Sequence, residues 1–453
     1  MLRRELRPML ALAAPLVVAE VGWVAMGTVD TLMVGNLGPD AIAAAGLASM
    51  IFFTVAVFAM GLLLGLDPLV AQAFGAGRVH ECHLWLVAGV WTALGISLPS
   101  VGVVYALRAG LAFWGLPPDV LAMTELYLGV LVWSLPPFLF YVAFRRYLQA
   151  MNIVRPVTVT LILANAVNAA VNWILIFGHF GAPALGLRGS AVATLIARTF
   201  LAAGLVAVIV AHEAHMTPRL RDTALALDVA RIRTLVRIGL PAAGQMLFEV
   251  GVFALATALA GRVSADALAA NQIALNMASL TFMVPYGIGS AGAVRVGQSI
   301  GRGDLLGARA AGWTAITLGV AFMSLASSVF LVFPAGLVRA YTTDAGVLPI
   351  GVALLFVAAI FQLFDGLQGV TTGVLRGAGD THTPMLWNLG GHWLVGLPLG
   401  YYLCFRLGRG VVGLWWGLST GLVICGVALL VTWIRKGTAL APLASARELE
   451  RPT

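Results

Sequence analysis

Long apolar runs dominate the chain, and short groups of Gly, Pro and charged residues interrupt them. A helix needs about 20 apolar residues to cross a bilayer. Dividing the chain at its interruptions gives twelve runs of at least this length. The runs cover 9–34, 41–73, 84–106, 119–144, 156–178, 187–211, 234–260, 267–299, 309–333, 346–374, 383–405 and 411–434. The pattern therefore predicts an all-α membrane protein with twelve transmembrane helices.

Composition agrees with this prediction. Hydrophobic residues make up 60% of the chain, charged residues 10%, and the mean hydropathy is +0.96, whereas about a quarter of a typical soluble domain is charged. The three cysteines, Cys82, Cys404 and Cys425, are far apart, so they predict neither a disulfide framework nor a metal site. Although the pI is near 9.9, the basic residues are scattered among short loops. We therefore expect no nucleic-acid partner.

The basic residues indicate how the chain is oriented. Placing the N-terminus in the cytoplasm puts most of the 27 Lys and Arg in cytoplasmic segments, as the positive-inside rule requires. The first helix is too long for a cleaved signal peptide and lacks a small-residue cleavage site. We expect a monomer that crosses a bacterial inner (plasma) membrane many times, contacts membrane lipids and has both termini in the cytoplasm.

The two halves of the chain resemble each other at an offset of 226 residues. The offset aligns Pro15 with Pro241, and the GxG at 75–77 with the GxG at 301–303. Each half holds six helices, an even number, so both halves have the same orientation in the membrane, as in parallel repeats. We expect two six-helix lobes around a central cavity. The predicted parts are an N-terminal lobe at 1–212, a cytoplasmic linker at 213–233, a C-terminal lobe at 234–436 and a cytoplasmic tail at 437–453.

Several carboxylates lie inside the apolar runs, namely Glu20, Asp30, Asp67, Glu249 and Asp365. An ionisable group at this depth is costly and marks an ion or substrate pathway. The helical rise places Glu249 and Asp365 about 16–18 Å from the cytoplasmic ends of their helices, near the middle of a ~30 Å core. We interpret this pair as a site for Na+ or H+. The alternative is that each carboxylate only hydrogen-bonds a neighbouring helix.

Seven segments carry a family likeness, in the same order along the chain. They are GTVDTLMVGNLGPDAIAAAGLA (27–48), GLLLGLDPLVAQAFGAGR (61–78), VNWILIFGHFGAPALGLRG (171–189), PAAGQMLFEVGVFALA (241–256), ALAANQIALN (267–276), AVRVGQSIGRGD (293–304) and QLFDGLQGVTTGVLRGAGDT (362–381). Through them the chain resembles the multidrug and toxic compound extrusion (MATE) transporters of the NorM-like branch, over nearly all of residues 8–436.

The resemblance implies roles for particular residues. Glu249 and Asp365 would line a cation site in the C-terminal lobe. Asp30 would be the carboxylate of the N-terminal lobe that binds a proton or the substrate cation. The other residues that the resemblance places in the substrate cavity are Asn168, Asn172, Gln272 and Asn276.

Three embedded charges, Glu20, Arg198 and Asp67, differ from the family pattern. Glu20 and Arg198 lie at matching depths, so we expect them to pair within the N-terminal lobe, because an unpaired arginine in hydrocarbon is costly. The alternative is that Arg198 faces a wet cavity alone. Asp67 and Arg295 lie at nearly equivalent positions of the two repeats. They are candidates for a gating pair between the lobes, unless each has a partner in its own lobe.

The sequence thus predicts a sodium- or proton-coupled antiporter that exports amphipathic organic cations, including drugs, by alternating access. No cofactor is expected beyond the coupling ion. A flippase for lipid-linked precursors, from the same superfamily, would need positive charge for phosphate groups, and here the embedded charge is mainly negative. An intramembrane enzyme would need a catalytic cluster, and a receptor would need an extramembrane domain. The sequence shows neither, so we do not expect an enzyme.

Overall fold

A computed structural model describes residues 2–213 and 219–449, with side chains for 5–213 and 219–437. Residues 214–218 of the expected linker therefore lie outside the described residues, as do nearly all side chains of the expected tail. The α-helices are α1 Leu2–Val34, α2 Pro39–Leu63, α3 Leu66–Gly75, α4 Val79–Gly110, α5 Pro118–Leu131, α6 Leu135–Ala150, α7 Arg155–Phe177, α8 Leu187–Glu213, α9 Val229–Gly261, α10 Ala265–Gly301, α11 Leu305–Val332, α12 Pro334–Arg339, α13 Val347–Gly377, α14 His382–Asn388, α15 Leu397–Tyr401 and α16 Gly410–Leu449.

The helices confirm the predicted membrane-spanning layout. Within the described residues, eleven helical spans are long and apolar enough to cross a membrane, and α2 with α3, like α5 with α6, forms a single span. The remaining predicted span, 383–405, corresponds to His382–Arg406. Two π-helical stretches, Leu389–Gly396 and Tyr402–Arg406, interrupt the α-helix there. This segment is therefore a transmembrane helix with a locally widened backbone.

The chain forms two compact units. We call Val18–Ala243 the N unit, and Met1–Val17 together with Gly244–Thr453 the C unit. The boundaries between the units fall inside α1 and inside α9 because a long helix can pack each of its halves against different neighbours. The lobe boundaries expected at 212 and 234 follow the sequence repeat rather than packing, and they stay a prediction.

The repeat is visible in two close helix crossings. In the N unit, a Cβ added to Gly61 of α2 would lie 2.4 Å from Cα of Ala243 in α9. In the C unit, a Cβ added to Gly287 of α10 would lie 2.9 Å from Cα of Val17 in α1. The offset of 226 residues relates Gly61 to Gly287 and Val17 to Ala243. Each half thus has a glycine at the same crossing, because any side chain there would overlap the facing backbone.

The C unit contains an especially tight contact between α10 and α13. A Cβ on Gly373 would lie 2.2 Å from the carbonyl oxygen of Gly289, and a Cβ on Gly377 would lie 2.3 Å from that of Ala293. Apolar helices gain no hydrophobic free energy by leaving lipid for each other, so close packing of small residues holds them together. This contact fixes the position of α13, which carries Asp365.

The loop between α13 and α14 is tied to α16 by Asp380. Its Oδ2 lies 2.5 Å from Nζ of Lys436 and accepts a 2.8 Å bond from Oγ1 of Thr383. Burial alone would raise the pKa of Asp380, but the hydrogen bonds from Lys436 and Thr383 outweigh it, so the pKa lies below its usual range. The loop is thus held by an ionised carboxylate.

Candidate functional site

Asp30 of α1 lies among polar side chains of α7 and α8 in the N unit. Its Oδ1 accepts a 2.6 Å hydrogen bond from Nδ2 of Asn172, and Oγ1 of Thr194 donates to its Oδ2 at 3.4 Å. Asn168, one turn before Asn172, accepts from the same Nδ2 at 3.3 Å. The structure therefore brings together Asp30, Asn168 and Asn172, as the family resemblance implied. It adds Thr194, which no feature of the sequence singles out.

This cluster has unused hydrogen-bonding capacity. Oδ1 of Asn172 has no hydrogen-bond partner within the described residues, and this side chain is fully buried. Leaving a buried polar group unpaired costs about 1–3 kcal/mol, and buried polar groups normally find a protein or water partner. The carboxylate of Asp30 can bind a cation, and the free amide oxygen of Asn172 can accept a hydrogen bond from a ligand or water beside it.

Arg198 of α8 contributes positive charge close to this cluster. Its charge acts on Asp30, and its Nη1 donates a 2.6 Å hydrogen bond to Oγ of Ser134. Its Cζ lies 4.4, 5.3 and 5.9 Å from the ring centroids of Phe52, Phe138 and Trp23, respectively. Such cation–π contacts are each worth about 0.5–2 kcal/mol. Aromatic rings therefore stabilise the Arg198 cation, a role that the sequence predicts for the carboxylate of Glu20.

The expected pair between Glu20 and Arg198 is wrong. Glu20 is ion-paired with Arg145 of α6, and each of the two side chains is less than a tenth exposed. Helical rise predicts how deep a residue lies but not the direction in which its side chain points. In addition, α6 continues to Ala150, so Arg145 lies in a membrane helix rather than in the loop to which the apolar pattern assigns it. The absence of Gly or Pro between Pro137 and Ala150 is the signal that could have revealed this.

Asp67 and Arg295, the candidates for a gate, each have a partner in their own unit. Oδ2 of Asp67 lies 3.5 Å from Nη1 of Arg146 in the N unit. Nη2 of Arg295 lies 2.7 Å from Oε2 of Glu5 in the C unit. Asp67 thus has a partner in its own predicted lobe, whereas Glu5, the partner of Arg295, belongs to the predicted N-terminal lobe at 1–212, so the alternative to a gate holds for Asp67 only.

Glu249 of α9 and Asp365 of α13 lie close together in the C unit. The side chains of Gln368 and Gln245 hydrogen-bond the Glu249 carboxylate, and the charge of Glu249 acts on Asp365. Asp365 and both glutamines are buried. The sequence selected the two carboxylates but neither glutamine, although Gln245 precedes Glu249, and Gln368 follows Asp365, by about one helical turn.

Further unpaired amide atoms lie on Gln368 and on a segment that contacts α9. Oε1 of Gln368 and both amide atoms of Asn388 have no hydrogen-bond partner within the described part of the chain. Nε1 of Trp393 donates a 3.0 Å bond to the carbonyl oxygen of Phe248, so the segment that contains Asn388 packs along α9 near Glu249. Carboxylate and amide oxygens are ligands that hard cations prefer. The cluster can therefore hold a proton or a small cation.

The remaining predicted cavity residues, Gln272 and Asn276, occupy exposed positions of α10. Oδ1 of Asn276 accepts a 3.0 Å bond from the hydroxyl of Tyr341. The buried asparagine of this helix is instead Asn271, whose Oδ1 accepts a 2.9 Å bond from Nε1 of Trp415. Neither predicted residue is among those that hydrogen-bond Glu249 in the described structure.

Two repeats of membrane helices, each with a carboxylate that hydrogen-bonds buried amide side chains, define a membrane transporter of the kind built from parallel repeats. The family model described as MatE matches residues 15–174 and 241–402. The chain is 38% identical over 449 residues to the "Probable multidrug resistance protein NorM" of Mesorhizobium japonicum, which covers 98% of this chain and 96% of that protein. It is 39% identical over 432 residues to the "Multidrug resistance protein NorM" of Burkholderia vietnamiensis, with 93% and 92% covered.

A solved structure shows the same fold. The eukaryotic MATE transporter AtDTX14 superposes with a TM-score of 0.85 over 98% of this chain and 99% of that chain, at 19% identity. Together with the sequence matches, this places the chain in the MATE family of transporters.

Proposed function

We propose that the chain is an antiporter that exports amphipathic organic cations, including drugs, in exchange for Na+ or H+ moving inward. The observation that carries this proposal is the Glu249–Asp365 pair, which lies in the C unit beside two buried glutamines and without an arginine or lysine partner in the described structure. The names of the relatives, which are multidrug resistance proteins, support export of drugs.

The coupling ion acts at the C-unit cluster. Two carboxylates close together in a low-dielectric environment repel each other strongly. A bound proton or Na+ removes this repulsion, so the site favours one bound cation. If the cluster binds the ion more tightly in one conformation than in another, binding shifts the population of conformations. The inward ion gradient can then drive alternating access.

The N-unit cluster is suited to the organic cation. Asp30 supplies the negative charge, and the unpaired amide oxygen of Asn172 accepts a hydrogen bond from the ligand. Arg198 limits the net charge beside Asp30, so the cluster suits a ligand with a single positive charge. Both termini lie in the cytoplasm in this proposal, because that orientation follows the distribution of Lys and Arg.

The test measures transport in proteoliposomes. Purified protein is reconstituted, and ethidium uptake is followed under an imposed Na+ gradient or, separately, an imposed pH gradient. We expect one of the gradients to drive uptake in the wild type, and Glu249→Gln or Asp365→Asn to abolish this coupling. Glu81→Gln is the matched control, because Glu81 is a partly exposed carboxylate paired with Arg78.

Uptake near the wild-type rate in both the Glu249 and the Asp365 variants would contradict the assignment of the cation site. Ethidium uptake that responds to neither gradient in the wild type would contradict ion-coupled export.

A further inference from the structure

The linker between the repeats is held against α4 by three contacts. Oγ1 of Thr223 lies 3.5 Å from Nδ1 of His80. Nε1 of Trp91 donates a 3.0 Å hydrogen bond to the carbonyl oxygen of Leu225. The guanidinium of Arg231, near the end of the linker, lies 5.0 Å from the ring centroid of Trp85. We call residues 219–229 the linker strap. All of these contacts lie within the N unit.

Alternate residues of the strap expose apolar side chains. Leu225 is 70% exposed, Leu227 57% and Val229 66%, while Thr223 is buried against α4. Single exposed apolar residues are ordinary, but a contiguous exposed patch marks an interaction surface. In the sequence, Arg219, Arg221 and Asp222 precede the patch and Arg231 and Arg233 follow it, while Asp228, which is ion-paired with Arg231, lies between Leu227 and Val229.

The strap continues the membrane-facing surface of α4. Trp91, Leu94 and Leu98 of α4 are exposed and share one helix face. The span that contains α4, Val79–Trp114, has 36 residues, whereas about 20 suffice to cross the core, so the ends of this span project beyond the hydrocarbon. The apolar run of α4 begins at Leu84, and Trp91 lies roughly 10 Å further along the helix. Helical side chains point back towards the N-terminus of their helix, and Thr223, two residues before Leu225, contacts His80, which precedes this run, so Leu225 lies near the edge of the hydrocarbon rather than 10 Å inside it.

The backbone of the strap limits how deep it can lie. Residues 224–228 form no regular secondary structure, and irregular backbone exposed to lipid is not tolerated inside the hydrocarbon because its polar groups have no partners. At the boundary between headgroups and acyl chains, water and headgroups can satisfy these groups, and Trp91 satisfies the carbonyl of Leu225. Tryptophan itself is enriched at this boundary.

We propose that the linker strap is a membrane-interface anchor. Leu225, Leu227 and Val229 insert among the acyl chains of the leaflet on the linker's side of the membrane. Arg219, Arg221 and Arg233 face the headgroups, which favours anionic lipids. The partner is the bilayer itself, because the patch is continuous with a surface that already faces lipid and because basic residues border it. Interfacial segments with this division of apolar and basic residues bind membranes in the same way.

The test places a nitroxide spin label at single introduced cysteines in the full chain. The variants are Leu225→Cys and Leu227→Cys, with Asp222→Cys as the control in the same strap and Leu98→Cys as the lipid-facing reference. The three native cysteines are buried, so labelling favours the introduced site. The protein is reconstituted in vesicles of phosphatidylethanolamine and phosphatidylglycerol, and the collision of each label with oxygen and with a water-soluble nickel complex is measured.

We expect the labels at positions 225 and 227 to collide preferentially with oxygen, as at position 98, and the label at 222 to collide preferentially with nickel. Nickel accessibility at 225 and 227 equal to that at 222 would overturn the anchor. The variant Trp91→Phe keeps an aromatic ring but loses the donor, and we expect it to move the label at 225 towards water. If the label at 225 does not move, the hydrogen bond from Trp91 does not determine the position of the strap. Replacing phosphatidylglycerol with phosphatidylcholine should move the label at 227 outwards, and an unchanged position would refute the role of anionic headgroups.

Discussion

Three glutamate–arginine pairs with very different burial allow a quantitative prediction about stability. In the Glu20–Arg145 pair the side chains are 8% and 7% exposed. In the Glu5–Arg295 pair they are 18% and 16% exposed, and in the Glu81–Arg78 pair 35% and 59%. Changing each glutamate to glutamine removes the charge and keeps the shape of the side chain. The loss of unfolding free energy should therefore follow the burial of the arginine that is left without a partner.

The expected magnitudes differ several-fold. Breaking a buried ion pair by removing one partner costs about 3–5 kcal/mol, because the remaining charge is uncompensated. An exposed pair contributes about 0–1 kcal/mol. We expect a loss of unfolding free energy of about 3–5 kcal/mol for Glu20→Gln and about 0–1 kcal/mol for Glu81→Gln. The loss for Glu5→Gln should lie between them. The measurement is chemical unfolding in mixed micelles, followed by tryptophan fluorescence.

A double variant separates the charge effect from general damage. Replacing both partners, as in Glu20→Leu with Arg145→Met, should restore part of the loss, because no buried charge is then left. Restoration will be partial, since Arg145 also has interactions other than the one with Glu20. The reasoning is refuted if Glu20→Gln costs no more than Glu81→Gln, or if the double variant is no more stable than the less stable single variant.

Three more predictions concern other parts of the chain. Asp30→Asn should reduce export of cationic drugs more than export of neutral ones, and equal losses in a transport assay would argue that Asp30 does not bind the substrate cation. Gly373→Ala should lower stability by several kcal/mol, because its Cβ would overlap the backbone of α10, while Gly95→Ala, with open space around its Cβ, should be nearly neutral in the same thermal unfolding assay. Because the pKa of Asp380 is lowered, its pairing stabilises the fold above the ordinary pKa of aspartate, and this contribution is lost as the pH falls through the lowered pKa. The stability difference between the wild type and Asp380→Asn should therefore disappear in acid, and a difference that does not change with pH would contradict the pairing.

The sequence by itself determined the number of spans, their depths and the repeat. The thickness of the hydrocarbon sets the length of an apolar run, and a rise of about 1.5 Å per residue converts position into depth. For this reason Glu249 and Asp365 could be recognised as a pair at matching depth in their helices. The one-turn spacing of Asn168 and Asn172 likewise placed both on one face of α7.

Tertiary structure alone decided which side chains meet. The rotation of each helix about its axis depends on close packing with its neighbours, and the apolar pattern of a helix surrounded by lipid records this rotation only weakly. Glu20 therefore pairs with Arg145 rather than with Arg198 at the same depth. Gln368 joins Glu249 because the α10–α13 contact fixes where α13 lies. The linker, a basic loop in the sequence, lies along α4 because Trp91 can bond its backbone, a contact between residues that no local pattern relates.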